Sequence, residues 1–211
     1  MTGADPILSD PDLLTGRLFF AVPVPGASRA PLEATLPELG RVLPAARLAA
    51  QGGWHLTLAF LGQVRPEFSS EVVAVGEAAV AGVGPAVLRL QGAGAFPDER
   101  RARVLWAGVA GDVEVLTRLA ANLAAACREA GLRVEERELQ PHLTLARLPK
   151  PAPVPGASVD LVTAATAASP PWEARELCCY RSTTTNRGTR YQVVRAFPLA
   201  GTRGRPGSDT G

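Results

Sequence analysis

One phrase occurs twice in this chain. Residues 54–62 read Trp-His-Leu-Thr-Leu-Ala-Phe-Leu-Gly, and residues 141–149 read Pro-His-Leu-Thr-Leu-Ala-Arg-Leu-Pro. Leucine returns at every second position through each His-Leu-Thr-Leu core, the period of a strand with one buried face. The chain has two histidines, His55 and His142, and they stand at the same place in the two copies. A repeated strand of this kind is either a duplicated core element or two halves of one site.

Strict alternation separates the faces. It puts Trp54, Leu56, Leu58 and Phe60 on one face, apolar throughout and expected in the core. His55, Thr57, Ala59 and Leu61 share the other. In the second copy Leu143 and Leu145 face the core, while His142, Thr144 and Ala146 face away. Each strand then presents an imidazole beside a hydroxyl, over an alanine that leaves room. An approximate two-fold axis would bring the two pairs to one cleft. Alternation sets Arg147 opposite His142; a bulge or the end of the strand would turn it to the cleft, and otherwise it packs outside.

The chemistry open to such a cleft is narrow. Two imidazoles can act as base and acid across one reacting centre. Two threonine hydroxyls can hydrogen-bond an oxyanion. Phosphorus suits this arrangement, because in-line displacement needs a base on one side and an acid on the other. A single His-x-Thr says little, but two matched copies use every histidine in the chain. The spacing does not decide which histidine plays which part.

Composition narrows the alternatives. The chain has 211 residues, 46% of them hydrophobic, enough to bury a core in one domain or two small lobes. A net charge of +2 demands neither nucleic acid nor an acidic membrane. Lys150 is the only lysine, so the basic side chains are arginines, which can grip phosphate in a bidentate way. Cys127, Cys178 and Cys179 form no disulfide or zinc pattern and are expected as buried, reduced thiols. Adjacent Cys178 and Cys179 should point to opposite faces of a strand. The first 16 residues are acidic and proline-bearing, unlike a signal peptide, and no apolar run approaches the roughly 20 residues needed to cross a bilayer. The expectation is a cytoplasmic monomer with no membrane association, no cofactor and no metal.

Along the chain, residues 1–15 and 201–211 read as disordered tails around a single domain spanning 16–200. Residues 17–25 form a strand stopped by prolines. Residues 28–50 have helical spacing, interrupted near Pro37 and Pro44. Residues 66–82 form a helix with proline at its start and glycine at its end. Strands follow at 85–92 and 103–109, around a turn-rich loop at 94–102. Residues 113–131 give the clearest helix, with Leu116, Leu119, Leu123 and Cys127 on one face. Residues 149–171 suggest an irregular connection with a short helix. Two strands around Thr-Thr-Asn-Arg-Gly (184–188) make a hairpin. The alternation points to a duplicated α/β or α+β unit with helices backing sheets.

The twin motifs, His55-Leu-Thr57-Leu and His142-Leu-Thr144-Leu, resemble those of the two-histidine (2H) phosphoesterases. Residues 17–25, 54–62, 95–109, 141–147 and 180–199 narrow the resemblance to the RNA 2′,3′-cyclic phosphodiesterases, once described as 2′-5′ RNA ligases. It implies an α+β, bilobal fold: two antiparallel sheets with helices on their outer sides and one motif per lobe (55–58 and 142–145) on inner strands facing a central cleft. It implies metal-independent opening of an RNA terminal 2′,3′-cyclic phosphate to a 2′-phosphate. By similarity His142 is the proton acceptor and His55 the proton donor, with Thr57, Thr144, Arg147 and Arg103 on the substrate. The family often has proline before the arginine matching Arg103; here it is Ala102.

Arg100, Arg101 and Arg103 either line the cleft mouth, where they would meet RNA phosphates, or form a solvated charge run. Phe96 either stacks on a base or packs in the core. Alternative readings are a related enzyme acting on small cyclic nucleotides or joining RNA ends in reverse, and a non-catalytic RNA-end binding module. Retention of both histidines and both threonines argues against the last, since binding alone needs no pair of proton-transfer groups.

Overall fold

The computed structural model describes residues 14–49, 54–135, 139–186 and 188–201. Most of the two expected tails lies outside them. Where the first tail was expected to continue, Leu14 is already buried in the core.

The apolar run after Gly16 becomes β1 (Gly16–Pro23), buried from Leu18 to Val22. The helix after it, α1 (Gly26–Val42), carries Pro31 and Pro37 in its interior and continues past both. This departs from the expected break at Pro37. An interior proline costs a free helix roughly 3 kcal/mol, but Leu32, Leu36 and Leu39 are buried along one face here, and that packing holds the helix together. Leu43 caps it and Pro44 follows.

The remaining elements are β2 (Arg47–Leu48), β3 (His55–Val64), a 3-10 turn (Pro66–Phe68), α2 (Ser69–Val80), β4 (Ala86–Phe96), β5 (Ala102–Gly111), α3 (Val113–Glu129), β6 (His142–Ala152), α4 (Gly156–Ala167), β7 (Trp172–Ala174), β8 (Glu176–Thr185) and β9 (Gly188–Pro198). The connection expected at 149–171, irregular with a short helix, is the end of β6 followed by the three-turn helix α4. The helix was hard to read because its buried face is built from Ser158, Val162, Ala165 and Thr166, small side chains that give little hydrophobic periodicity.

Two antiparallel sheets result, ordered β3-β1-β8-β9 and β2-β6-β5-β4-β7. The lobes do not follow the halves of the sequence. Both chain-terminal stretches enter the four-stranded sheet, and the middle of the chain supplies most of the five-stranded one. Helices α1 and α4 pack together, α4 lying on β4 and β5, while α2 packs on β8, β9 and α3. Helix α3 ties the lobes: Leu116 and Leu119 enter the core beneath β4–β6, and Leu123 and Cys127 enter the core beneath β1 and β9. The sheets meet where β3 touches β6, so the two motif strands form the seam.

All three thiols are buried and free. Cys178 packs with Phe19, Ala21 and Tyr180, and Cys179 with the core beneath β1 and β9 on the other face. Burial pushes Cys127 up to about 11 and Cys179 up to about 12.

Gly76 marks the tightest helix-to-sheet contact. A Cβ there would lie 2.3 Å from Cζ of Phe197, whose ring is itself buried. In an open helix Gly→Ala gains up to about 1 kcal/mol. Here Gly76→Ala should reverse that sign and cost about 1–3 kcal/mol by overpacking, read as a lower denaturant midpoint; a raised midpoint would refute this contact.

Candidate active site

Each motif strand has an extra residue at the same point of its phrase, and a second irregularity further along. In β3, Thr57 faces Ala21 and Ala59 faces Phe20, so Leu58 is the unmatched residue. In β6, Thr144 faces Trp106 and Ala146 faces Leu105, so Leu145 is unmatched. Such a bulge resets alternation beyond it. Before the bulge, His55 and Thr57 stand on the face away from Leu56, and His142 and Thr144 on the face away from Leu143. All four are half-buried, whereas both leucines are buried in one shared core. The polar faces of both strands therefore look away from the core that Leu56 and Leu143 share.

After the bulge, strict alternation fails. Ala59 and Leu61 were expected beside His55 and Phe60 in the core. The structure reverses this: Ala59 and Leu61 are buried, and Phe60 is 45% exposed with its ring 5.6 Å from Phe19, on the histidine side. Ala146 likewise moves from the expected polar face into the core. Arg147 turns to the side of His142, as a bulge would require, and is exposed there. Phe60 and Arg147 thus occupy equivalent places in the two copies.

Aromatic rings wall both histidines. Phe19 lies 4.7 Å from the His55 ring, Tyr191 5.0 Å and Tyr180 5.1 Å. Register explains the grouping, since Phe19 faces Phe60 on one side and Tyr180 on the other. On the second lobe Phe96 meets the His142 ring edge-on at 4.9 Å, and Trp106 lies 6.3 Å away. Phe96 therefore packs against a site histidine. Sequence reading missed Phe19, Tyr180, Tyr191 and Trp106, because only strand pairing carries them to the histidines.

Two features fix the state of His142. Its Nδ1 lies 2.8 Å from the carbonyl oxygen of Gln140. A carbonyl only accepts, so Nδ1 carries the hydrogen and Nε2 keeps its lone pair. Burial holds the imidazole below its ordinary value; the Gln140 carbonyl opposes that shift, and the charge of Arg147 adds to it. Burial and the Arg147 charge therefore favour the neutral imidazole. Tyr180 is pushed upward, chiefly by burial, so its phenol remains a neutral wall.

Arg103 is exposed and sits between Ala102, whose methyl is in the core, and Val104, which faces Arg147. Among the described residues no three His, Cys, Asp or Glu side chains gather as a metal-ligand cluster, and no helix is long and apolar enough to cross a membrane.

Residues 31–186 match the model of the 2′-5′ RNA ligase superfamily. The RNA 2′,3′-cyclic phosphodiesterase of Thermus thermophilus is 31% identical over 204 residues, covering 90% of this chain and 93% of the relative. That of Geobacillus stearothermophilus is 31% identical over 196 residues, 92% of this chain, which spans 60% of that relative's length. Among solved structures, a protein of Thermus thermophilus superposes with a TM-score of 0.69 at 29% identity, covering 88% of this chain and 98% of its own. LigT of E. coli complexed with 3′-AMP superposes with a TM-score of 0.63 at 26% identity, with the same coverage.

A ring-proton NMR titration should place the His142 midpoint below 6.5. Arg147→Gln removes a cation that disfavours the imidazolium, so the midpoint should rise. A midpoint unmoved by the substitution would separate Arg147 from the histidine.

Proposed function

The chain belongs to the 2′-5′ RNA ligase superfamily, and on that premise we propose that it hydrolyses the terminal 2′,3′-cyclic phosphate of RNA to a 2′-phosphomonoester. The observation that carries this reading is the pair of His-x-Thr faces on the two strands of the seam, each ended by the same bulge. The names of the relatives support the substrate class.

In this reading the cyclic phosphate lies across the seam. Nε2 of His142 takes a proton from water as the water oxygen bonds to phosphorus. The bond from phosphorus to the 3′ oxygen breaks on the opposite side, and His55 supplies that oxygen with a proton. The hydrogen bond from Nδ1 to Gln140 and the lowered proton affinity of His142 suit the acceptor role. The rings around His55 can face an imidazolium through cation–π contact, which suits the donor role. Thr57 and Thr144 donate hydroxyl hydrogen bonds to the non-bridging oxygens, and Arg147 adds charge to the same group. Arg103 is a rim cation for RNA phosphate. Proton transfer and hydrogen-bond donation cover the reaction without a metal ion. The buried, free thiols fit a reducing compartment such as the cytoplasm.

His55→Ala and His142→Ala should each lower kcat by about 10²–10⁴ on an oligoribonucleotide ending in a cyclic phosphate. The double variant should be little worse than the poorer single one. Thr57→Val and Thr144→Val keep the β-branched shape and should cost about 10²–10³, like the loss of one oxyanion donor. Phosphorus NMR of the product should show the 2′-monoester, and EDTA should leave the rate unchanged. Activity that survives either histidine change would sink the mechanism; loss in EDTA restored by a divalent ion would replace it with a metal-assisted one.

A further inference from the structure

Beside the His142 wall, and separate from the histidine pair, is an open basin of about 660 Å³, lined by Gly94, Asp98, Glu99, Arg100, Arg101 and Trp106 among others. Trp106 belongs to both sites: it approaches His142 and lines the basin. Gly94 lets the indole lie there, because a Cβ at that position would come within 2.3 Å of Cζ2 of the ring. The far wall is a fixed turn. The backbone N–H groups of Arg100 and Arg101 donate to Oδ1 of Asp98 at 2.9 and 3.0 Å. The N–H of Val154 donates to the carbonyl oxygen of Glu99 at 2.8 Å, tying the turn to the segment after β6.

That bonding divides the charges of the wall. Asp98 is engaged in holding the turn. The guanidinium groups of Arg100 and Arg101 are exposed, and neither enters an ion pair among the described residues. An aromatic wall, a floor without a side chain and two arginines on a held turn match one nucleotide of a single strand: the ring system for the base and the arginines for the phosphate. Glu99, also exposed at the rim, can accept from a base amino group.

We infer that this basin is a subsite for the nucleotide on the 5′ side of the reacting terminal one, so that the protein distinguishes an RNA end from a free cyclic mononucleotide. The inference rests on the proposed reading of the His55–His142 seam and adds a second contact to it. A mononucleotide at the seam does not reach the basin; an oligonucleotide does.

The test compares wild type with the exposed double variant Arg100→Glu/Arg101→Glu, with a thermal melt as the check of folding. Two ligands are used for binding, an oligoribonucleotide ending in a 2′-phosphate and a nucleoside 2′-monophosphate; their cyclic-phosphate counterparts are used for turnover. The variant should weaken oligonucleotide binding by about tenfold or more and flatten its salt dependence, as the loss of phosphate contacts does. KM for the cyclic oligonucleotide should rise with kcat unchanged, and both mononucleotide values should stay within about twofold. Equal losses for long and short ligands, or no loss for either, would overturn the subsite. If wild type binds the oligonucleotide through these arginines but turns over neither cyclic substrate, the hydrolytic reading of the seam fails and the subsite stands.

Discussion

The extra residue in each motif strand, Leu58 in β3 and Leu145 in β6, is the constraint on which the site depends. An unbroken strand would keep His, Thr and the following small residue on one face, and the residue after that on the other. The bulge sends Ala59 and Ala146 into the core and releases Phe60 and Arg147 to the histidine side. It closes the seam with apolar packing and opens the site in the same step. The buried leucines on either side of it resist slippage, because a one-residue shift would expose them.

The two copies share a backbone device and then diverge in what surrounds it. Around His55 the walls are Phe19, Tyr180 and Tyr191, and the residue released by the bulge is apolar. Around His142 they are Phe96 and Trp106, and the released residue is a cation. The asymmetry is electrostatic. Arg147 and burial hold His142 toward its neutral form, and the Gln140 carbonyl selects the tautomer with a free Nε2. One duplicated phrase can thus supply a base and an acid, because its neighbours differ where its own residues do not.

Interleaving of the lobes ties the two sides of the seam together. Strands from both ends of the chain build one sheet, and α3 places leucines in both cores. A relative displacement of the histidines would have to strip buried leucine from α3, and fully exposing one such side chain costs about 1.5–3 kcal/mol. A helix shared between cores ties the two motif strands to one another.

The sequence by itself determined the candidate chemistry and most of the elements. The paired His-x-Thr phrases, β1, α2, α3 and the β8–β9 hairpin were legible because period, proline and glycine act locally. Local rules reached α4, whose buried face is made of small residues, only as an unplaced short helix, and they missed the continuation of α1 past Pro37, which tertiary packing holds. Alternation correctly oriented His55, Thr57, His142 and Thr144, since they precede the bulges, and misplaced Ala59, Phe60, Leu61 and Ala146, since they follow them. Only the tertiary structure decided the face of Arg147, the aromatic walls and the basin at Trp106. Each depends on which strand lies alongside, and that pairing is set by how the whole chain buries its apolar faces rather than by the residues of any one strand.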